Sequence, residues 1–203
     1  MKLATFCIFT AFTDGGKLQA THKSDSEAER HVGREISSGK MLNDIRLTDE
    51  QHQIFEAYLA GIEIDVAEGV TEDERGAAVK NKEWTKWTDS DGNYIVPYFF
   101  HSSFPGTARL RIKKALKQFA QWTCIRFVET KESDKKYSNR IRVLDTGNGC
   151  YSYVGLVESK SVQDLSLDLS ECTDEAWEIQ HEFMHALGFW HEMQRGDRGK
   201  LFV

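Results

Sequence analysis

The chain has 203 residues, enough for one large domain or a domain with a prosegment, and its 40% hydrophobic and 11% aromatic content is ample for a buried core. A net charge of -6 argues against a nucleic-acid binder, which needs a basic face. No apolar run reaches the roughly 20 residues of a membrane-spanning helix.

Residues 3–12 form a short apolar run behind Lys2, the size of a signal-peptide hydrophobic region. Residues 1–20 are therefore assigned as a signal peptide, with Ala20 the candidate cleavage position, and the protein as secreted and extracellular; a buried N-terminal strand is the alternative. In that oxidising compartment Cys7 is removed, and Cys124, Cys150 and Cys172 leave an odd count.

Residues 21–71 are charged and lack proline. Thr48-Asp49-Glu50-Gln51 reads as a capping box, with Thr48 as N-cap and Gln51 reaching back. Ile54, Phe55, Tyr58 and Leu59 continue as one helical stripe, and Gly61 offers a C-cap. A helix this short has no core of its own and should dock on the domain that follows, so residues 21–75 read as a propeptide. Arg75 is a single basic residue in an acidic, loop-like stretch before small residues, a target for a trypsin-like activating protease; an ordinary linker is the alternative.

Residues 107–123 give the clearest amphipathic helix. Ile112, Ala115, Leu116, Phe119 and Trp122 share a face, with Trp122 expected in the core, while Arg111, Lys113, Lys114 and Lys117 point mostly outward. Residues 139–145 alternate, Ile141 and Val143 against Arg140 and Arg142, as in a half-buried strand. Residues 147–155 read as a glycine-rich hairpin and residues 165–169 as a short strand. Asp174 and Glu175 suit the positive N-terminus of the helix that follows.

That helix carries Q-H-E-F-M-H-A-L-G-F-W-H from Gln180 to His191. His181 and His185, four apart, lie on one helical face a turn from each other. Zinc takes three or four N, O or S ligands in near-tetrahedral array, and these two imidazoles supply the first two. Gly188 is free to take positive φ, end the helix and swing the chain back, so that His191 arrives as a third ligand. Three protein ligands leave a position open, the catalytic rather than the structural arrangement. Glu182 can reach a water at that position, take its proton and pass it to a leaving amine. The bland alternative is an amphipathic helix with solvated histidines. A purely structural zinc site is weakly supported, since no cysteine lies close enough in sequence to be the obvious fourth ligand.

The continuation, His191-Glu192-Met193-Gln194-Arg195-Gly196-Asp197-Arg198, resembles the astacin family of metzincin zinc endopeptidases, in which Glu follows the third His at once and an Arg and an Asp-Arg pair come after. Tyr94-Ile95-Val96-Pro97-Tyr98-Phe99 is similar to the family's V-I-P-Y strand, with Pro97 suggesting an edge or strand-start position. Thr123-Cys124-Ile125-Arg126-Phe127 is similar to T-C-I-x-F, and residues 147–155 to G-x-G-C-x-S-x-V-G. The resemblance covers about Gly76 to Arg198. It implies His181, His185 and His191 as ligands of one Zn²⁺ and Glu182 as general base. It further implies that Glu192 is a buried acid binding the new N-terminus at Gly76, and that Cys150 and Cys172 are bridged. Family propeptides block the zinc with the acid of a motif like F-x-G-D. The match found lies at residues 59–63, where Ile62 stands at the Asp position, leaving Glu63 or Asp65 as the blocking acid, with solvated loop acids the alternative.

The implied fold is α+β: a metzincin-like upper subdomain with a twisted, mostly parallel sheet, an antiparallel edge strand over the zinc and two long helices. Residues 76–203 would be the N-terminal part of the catalytic domain. An S-x-M-H-Y turn does not follow Arg198, so the C-terminal subdomain is expected to be missing and Cys124 to lack its family partner. The implied function is a secreted endopeptidase zymogen that hydrolyses peptide or protein substrates with a zinc-activated water. The alternative is a catalytically impaired form that binds peptides or a partner.

Overall fold

The computed structural model describes residues 41–42, 44–49, 51–53 and 84–191. The N-terminal apolar run, the stripe from Ile54 to Leu59, Glu63, Asp65, the Arg75 junction and Glu192 lie outside the described residues.

Seven strands form one sheet: β1 (Met41–Leu42), β2 (Ile45–Arg46), β3 (Tyr94–Phe100), β4 (Ile125–Glu129), β5 (Arg140–Leu144), β6 (Tyr151–Tyr153) and β7 (Val162–Ser166). Their order is β1-β2-β6-β7-β5-β3-β4. The β4, β3, β5 and β7 ladders are parallel, and β6 runs antiparallel to β7. Two helices, α1 (Gly106–Trp122) and α2 (Ala176–Leu187), pack on each other; α1 meets β4, and α2 meets β6 and β7. The α+β reading with a mostly parallel sheet and an antiparallel β6 is what the structure shows.

Pro97 lies in a central strand, not an edge. It pairs in register with Val128 of β4, and β5 joins only from Tyr98, so proline falls before the second neighbour begins. The expected strand at 165–169 ends at Ser166 because Asp168 forms a turn: its Oδ1 accepts the Ser170 N–H at 2.8 Å and its carbonyl accepts the Cys172 N–H at 3.1 Å. Leu165 and Leu167 are nonetheless fully buried. Cys150 and Cys172 form the expected disulfide.

On α1, Ile112, Ala115 and Leu116 enter the core as the periodicity predicts, but Trp122 is 65% exposed. It lies only about 20° around the helix from buried Ala115, but it is the last helical residue, at the end of the packed face. The core continues through Val96, Tyr98, Ile141, Val143 and Leu165 of the sheet to Ile179, Phe183 and Ala186 of α2. Arg140 and Arg142 are not simply outward: Arg140 donates to the Lys131 and Glu132 carbonyls over the Phe99 ring, and Arg142 forks onto Asp164.

The N-terminal residues dock on this body. Thr48 and Gln51 exchange the two capping-box bonds, at 3.0 and 3.2 Å, and Gln51 Nε2 donates to the Val154 carbonyl at 3.1 Å. Ile45, Leu47 and Val154 form a small second core with Trp190 against it. Strand β2 lies parallel to β6, so the edge expected to be open is covered by the chain itself.

Phe183, with no exposed surface, packs edge-on against Tyr98 and Phe127. Phe183→Ala should destabilise the fold by about 3–5 kcal/mol in urea unfolding. Leu110→Ala, at a position 69% exposed, should stay within about 0.5 kcal/mol of the parent.

Candidate metal centre

Helix α2 begins with the Glu178 carboxylate accepting the Glu175 N–H at 3.3 Å. It ends at Gly188, whose φ of 111° is left-handed and whose N–H returns to the His185 carbonyl at 2.8 Å. The chain then turns back, as the H-x-x-G-x-x-H spacing predicts, and His191 reaches the face that carries His181 and His185. His181 Nε2 lies 3.0 Å from His185 Nε2 and 3.3 Å from His191 Nε2. The His185 ring stands at 86° to each of the other two.

Groups around the helix fix this array. His185 Nδ1 lies 2.7 Å from the Phe189 carbonyl. A carbonyl only accepts, so Nδ1 carries the proton and the Nε2 lone pair of the neutral ring faces inward. The Gly155 N–H, just past β6, donates to the His185 carbonyl at 2.9 Å, and the buried Trp84 indole donates to the Ala186 carbonyl at 2.8 Å.

A fourth group enters from the N-terminal segment. The turn between β1 and β2 carries Asp44, whose carbonyl accepts the Ser152 N–H at 3.0 Å. Its Oδ2 lies 3.0 Å from His181 Nε2, and its Oδ1 lies 2.9 Å from His191 Nε2 and 3.6 Å from His185 Nε2. One ligand atom from each of Asp44, His181, His185 and His191 falls within 4.8 Å of all the others.

Burial alone would raise the Asp44 carboxyl, but its contacts with His181, His185 and His191 outweigh that and hold it well below the usual carboxylate range. Glu182 is 3% exposed, and burial, with the Asp44 charge added, pushes its carboxyl well above the usual value. Asp44 Oδ1, Glu182 Oε2 and His191 Nδ1 are buried without an aligned hydrogen-bond partner.

This donor set fits zinc. Imidazole lone pairs turned toward one another repel unless a cation lies between them. Tetrahedral zinc with Zn–N bonds near 2.0–2.1 Å sets nitrogens roughly 3.3 Å apart, close to the spacings found. Three nitrogens and one carboxylate oxygen make a four-donor shell, in which Asp44 takes the place that a three-histidine site leaves to solvent.

The three histidines picked out from the helix motif are therefore brought together, and Glu182, next to His181 in the helix, is buried near enough to feel the Asp44 charge. Asp44 was missed. A signal existed: Met41-Leu42-Asn43-Asp44 has the order of F-x-G-D, with an apolar first residue and Asn, another turn-former, where the motif has Gly.

A family model described as Astacin, a peptidase family, matches residues 79–203. The chain belongs to the astacin family. It is 39% identical over 106 residues to zinc metalloproteinase nas-27 of Caenorhabditis elegans, covering 52% of this chain and 23% of that protein. It is 37% identical over 115 residues to the low choriolytic enzyme of Oryzias latipes, covering 57% of this chain and 39% of that one. Among solved structures, high choriolytic enzyme 1, a hatching enzyme zinc-protease from Oryzias latipes, matches with a TM-score of 0.50 and 35% identity, over 58% of this chain and 54% of that one. The astacin-family chain thus spans less than two fifths of the curated relatives named here.

Replacing His181, His185 or His191 by Gln removes one donor of the shell. Each variant should bind zinc at least about tenfold more weakly in competition with a chelator. Unchanged zinc content in any of the three would exclude that histidine as a ligand.

Proposed function

We propose that this chain carries the latent zinc centre of a secreted endopeptidase. His181, His185 and His191 hold the metal, Glu182 is the general base, and residues 21–75 are a propeptide that follows a signal peptide. The observation that carries the reading is the Asp44 carboxylate lying among three converging imidazoles, with a buried glutamate nearby whose Oε2 has no hydrogen-bond partner.

Zinc bound by the three histidines supplies Lewis acidity, which acidifies a water and polarises a peptide carbonyl. Glu182 takes the proton of the attacking water and delivers it to the departing nitrogen. Its raised proton affinity suits both steps, because it must accept and then release a proton near neutral pH. The peptide lies along β6, held by backbone bonds of the kind that Asp44 now makes to Ser152, so recognition tolerates many sequences.

Asp44 opposes this chemistry in two ways. Its carboxylate fills the side of the histidine cluster that water needs, and its charge favours the protonated, idle form of Glu182. A trypsin-like cut after Arg75 would separate the segment bearing Asp44 from the domain and leave Gly76 as the new N-terminus.

In the full-length protein, Glu182→Gln should retain zinc but lose peptide hydrolysis by about 10²–10⁴-fold. Turnover preserved in that variant would remove Glu182 from the mechanism. Asp44→Ala in the uncut protein should raise hydrolysis of a fluorogenic peptide above that of the uncut parent. An uncut Asp44→Ala protein as silent as the parent would show that Asp44 is not what holds the centre latent.

A further inference from the structure

Strand β6 carries two aromatic side chains, Tyr151 and Tyr153, separated by one residue and therefore on the same face. Both rings are buried, and the Arg46 guanidinium lies over them, 5.1 Å from the Tyr153 centroid and 5.9 Å from the Tyr151 centroid. Among the described residues no carboxylate is within ion-pair distance of Arg46, and its guanidinium lies over the two ring faces. Asp164, close enough to be felt by Tyr153, spends both oxygens on Arg142 at 2.7 and 3.1 Å. Lys160 Nζ also lies over the Tyr153 ring, at 5.7 Å, a second cation drawn to the same π-system.

The register ties this pair of rings to the candidate metal centre. Arg46 is the in-register partner of Tyr153, and Asp44, two residues earlier, faces the histidines. A peptide strand laid on the same edge in the register of β2 brings one of its side chains to the same rings. Arg46 is thus a stand-in for a side chain of the bound peptide.

We propose that Tyr151 and Tyr153 form a cation-accepting subsite, which takes an Arg or Lys side chain of a peptide laid along β6. The proposal rests on the endopeptidase reading only for where the peptide lies. Ring faces attract a guanidinium through their quadrupole, and a neutral isostere of the same shape loses that attraction.

The test uses the full-length protein bearing Glu182→Gln, with its N-terminal segment released by trypsin. Fluorescence anisotropy compares labelled peptides that differ only by Arg or citrulline at each position in turn. At one position Arg should bind about three- to thirtyfold more tightly than citrulline. That ratio should fall toward one in Tyr153→Leu and persist in Tyr153→Phe, which keeps the ring. Equal binding of Arg and citrulline at every position, or a preference that survives Tyr153→Leu, overturns the proposal. Should Tyr153→Leu fail to fold, Tyr151→Leu carries the same comparison.

A second measurement needs no release of the segment. In the uncut protein, Arg46→Gln should speed hydrogen exchange at the Ser152 amide and Arg46→Lys should not; equal exchange in all three proteins overturns the proposal. Cleavage by the protein with Glu182 intact is read separately. Arg-selective binding without any cleavage supports the subsite while removing the endopeptidase reading. Cleavage with no Arg preference does the reverse.

Discussion

A helix ends with carbonyls that its own backbone cannot satisfy, and in α2 those carbonyls belong to the turn that carries the histidine cluster. The His185 carbonyl receives the N–H groups of Gly188 and Gly155, and the Ala186 carbonyl receives the Trp84 indole. One bond closes the helix, one ties it to the end of β6, and one ties it to the chain just ahead of β3. Each bond is worth only about 0.5–1.5 kcal/mol net. Together they fix where α2 stops relative to β6, and so set both the path to His191 and the spacing between the histidines and the β6 edge. Phe183, buried between Tyr98 and Phe127, anchors the same turn from the core side.

The N-terminal segment is attached differently. Its ladder to β6 has two in-register pairs, Ile45 with Ser152 and Arg46 with Tyr153. Its apolar contribution is Ile45 and Leu47 packed on Val154 and Trp190. A ladder this short is marginal in water without further contacts. The specific holds come from side chains: Asp44 at the histidines, Arg46 on two tyrosine rings, and Gln51 on the Val154 carbonyl. Among the described residues, each of these side chains has a separate chemical partner.

Much of the fold was legible because its signals are local. The periodicity of α1, the alternation of β5 and the capping box at Thr48 each depend on residues within one or two turns. The errors fall where a neighbour distant in sequence decides the outcome. Pro97 reads as an edge residue, yet it tolerates a central strand because β5 begins only at Tyr98. Trp122 reads as core because its spacing fits, but it stands at the very end of the helix and is exposed there. The three histidines and Glu182 were legible because one helix and one glycine turn bring them together. Asp44 was not, because 137 residues separate it from His181 and only the sheet joins them. Residues 59–63 keep the Gly of F-x-G-D but have Ile62 at the Asp position, whereas Met41-Leu42-Asn43-Asp44 keeps the Asp and has Asn, another turn-former, in place of the Gly.

The orientation of β2 has a further consequence. At Asp44 the main-chain oxygen is engaged by Ser152, and what faces the histidines is a side-chain carboxylate. A carboxylate is already the product of hydrolysis and offers no bond to break. On the proposed reading the segment can lie across the centre without being consumed there, because it presents a carboxylate rather than a peptide bond to the histidines.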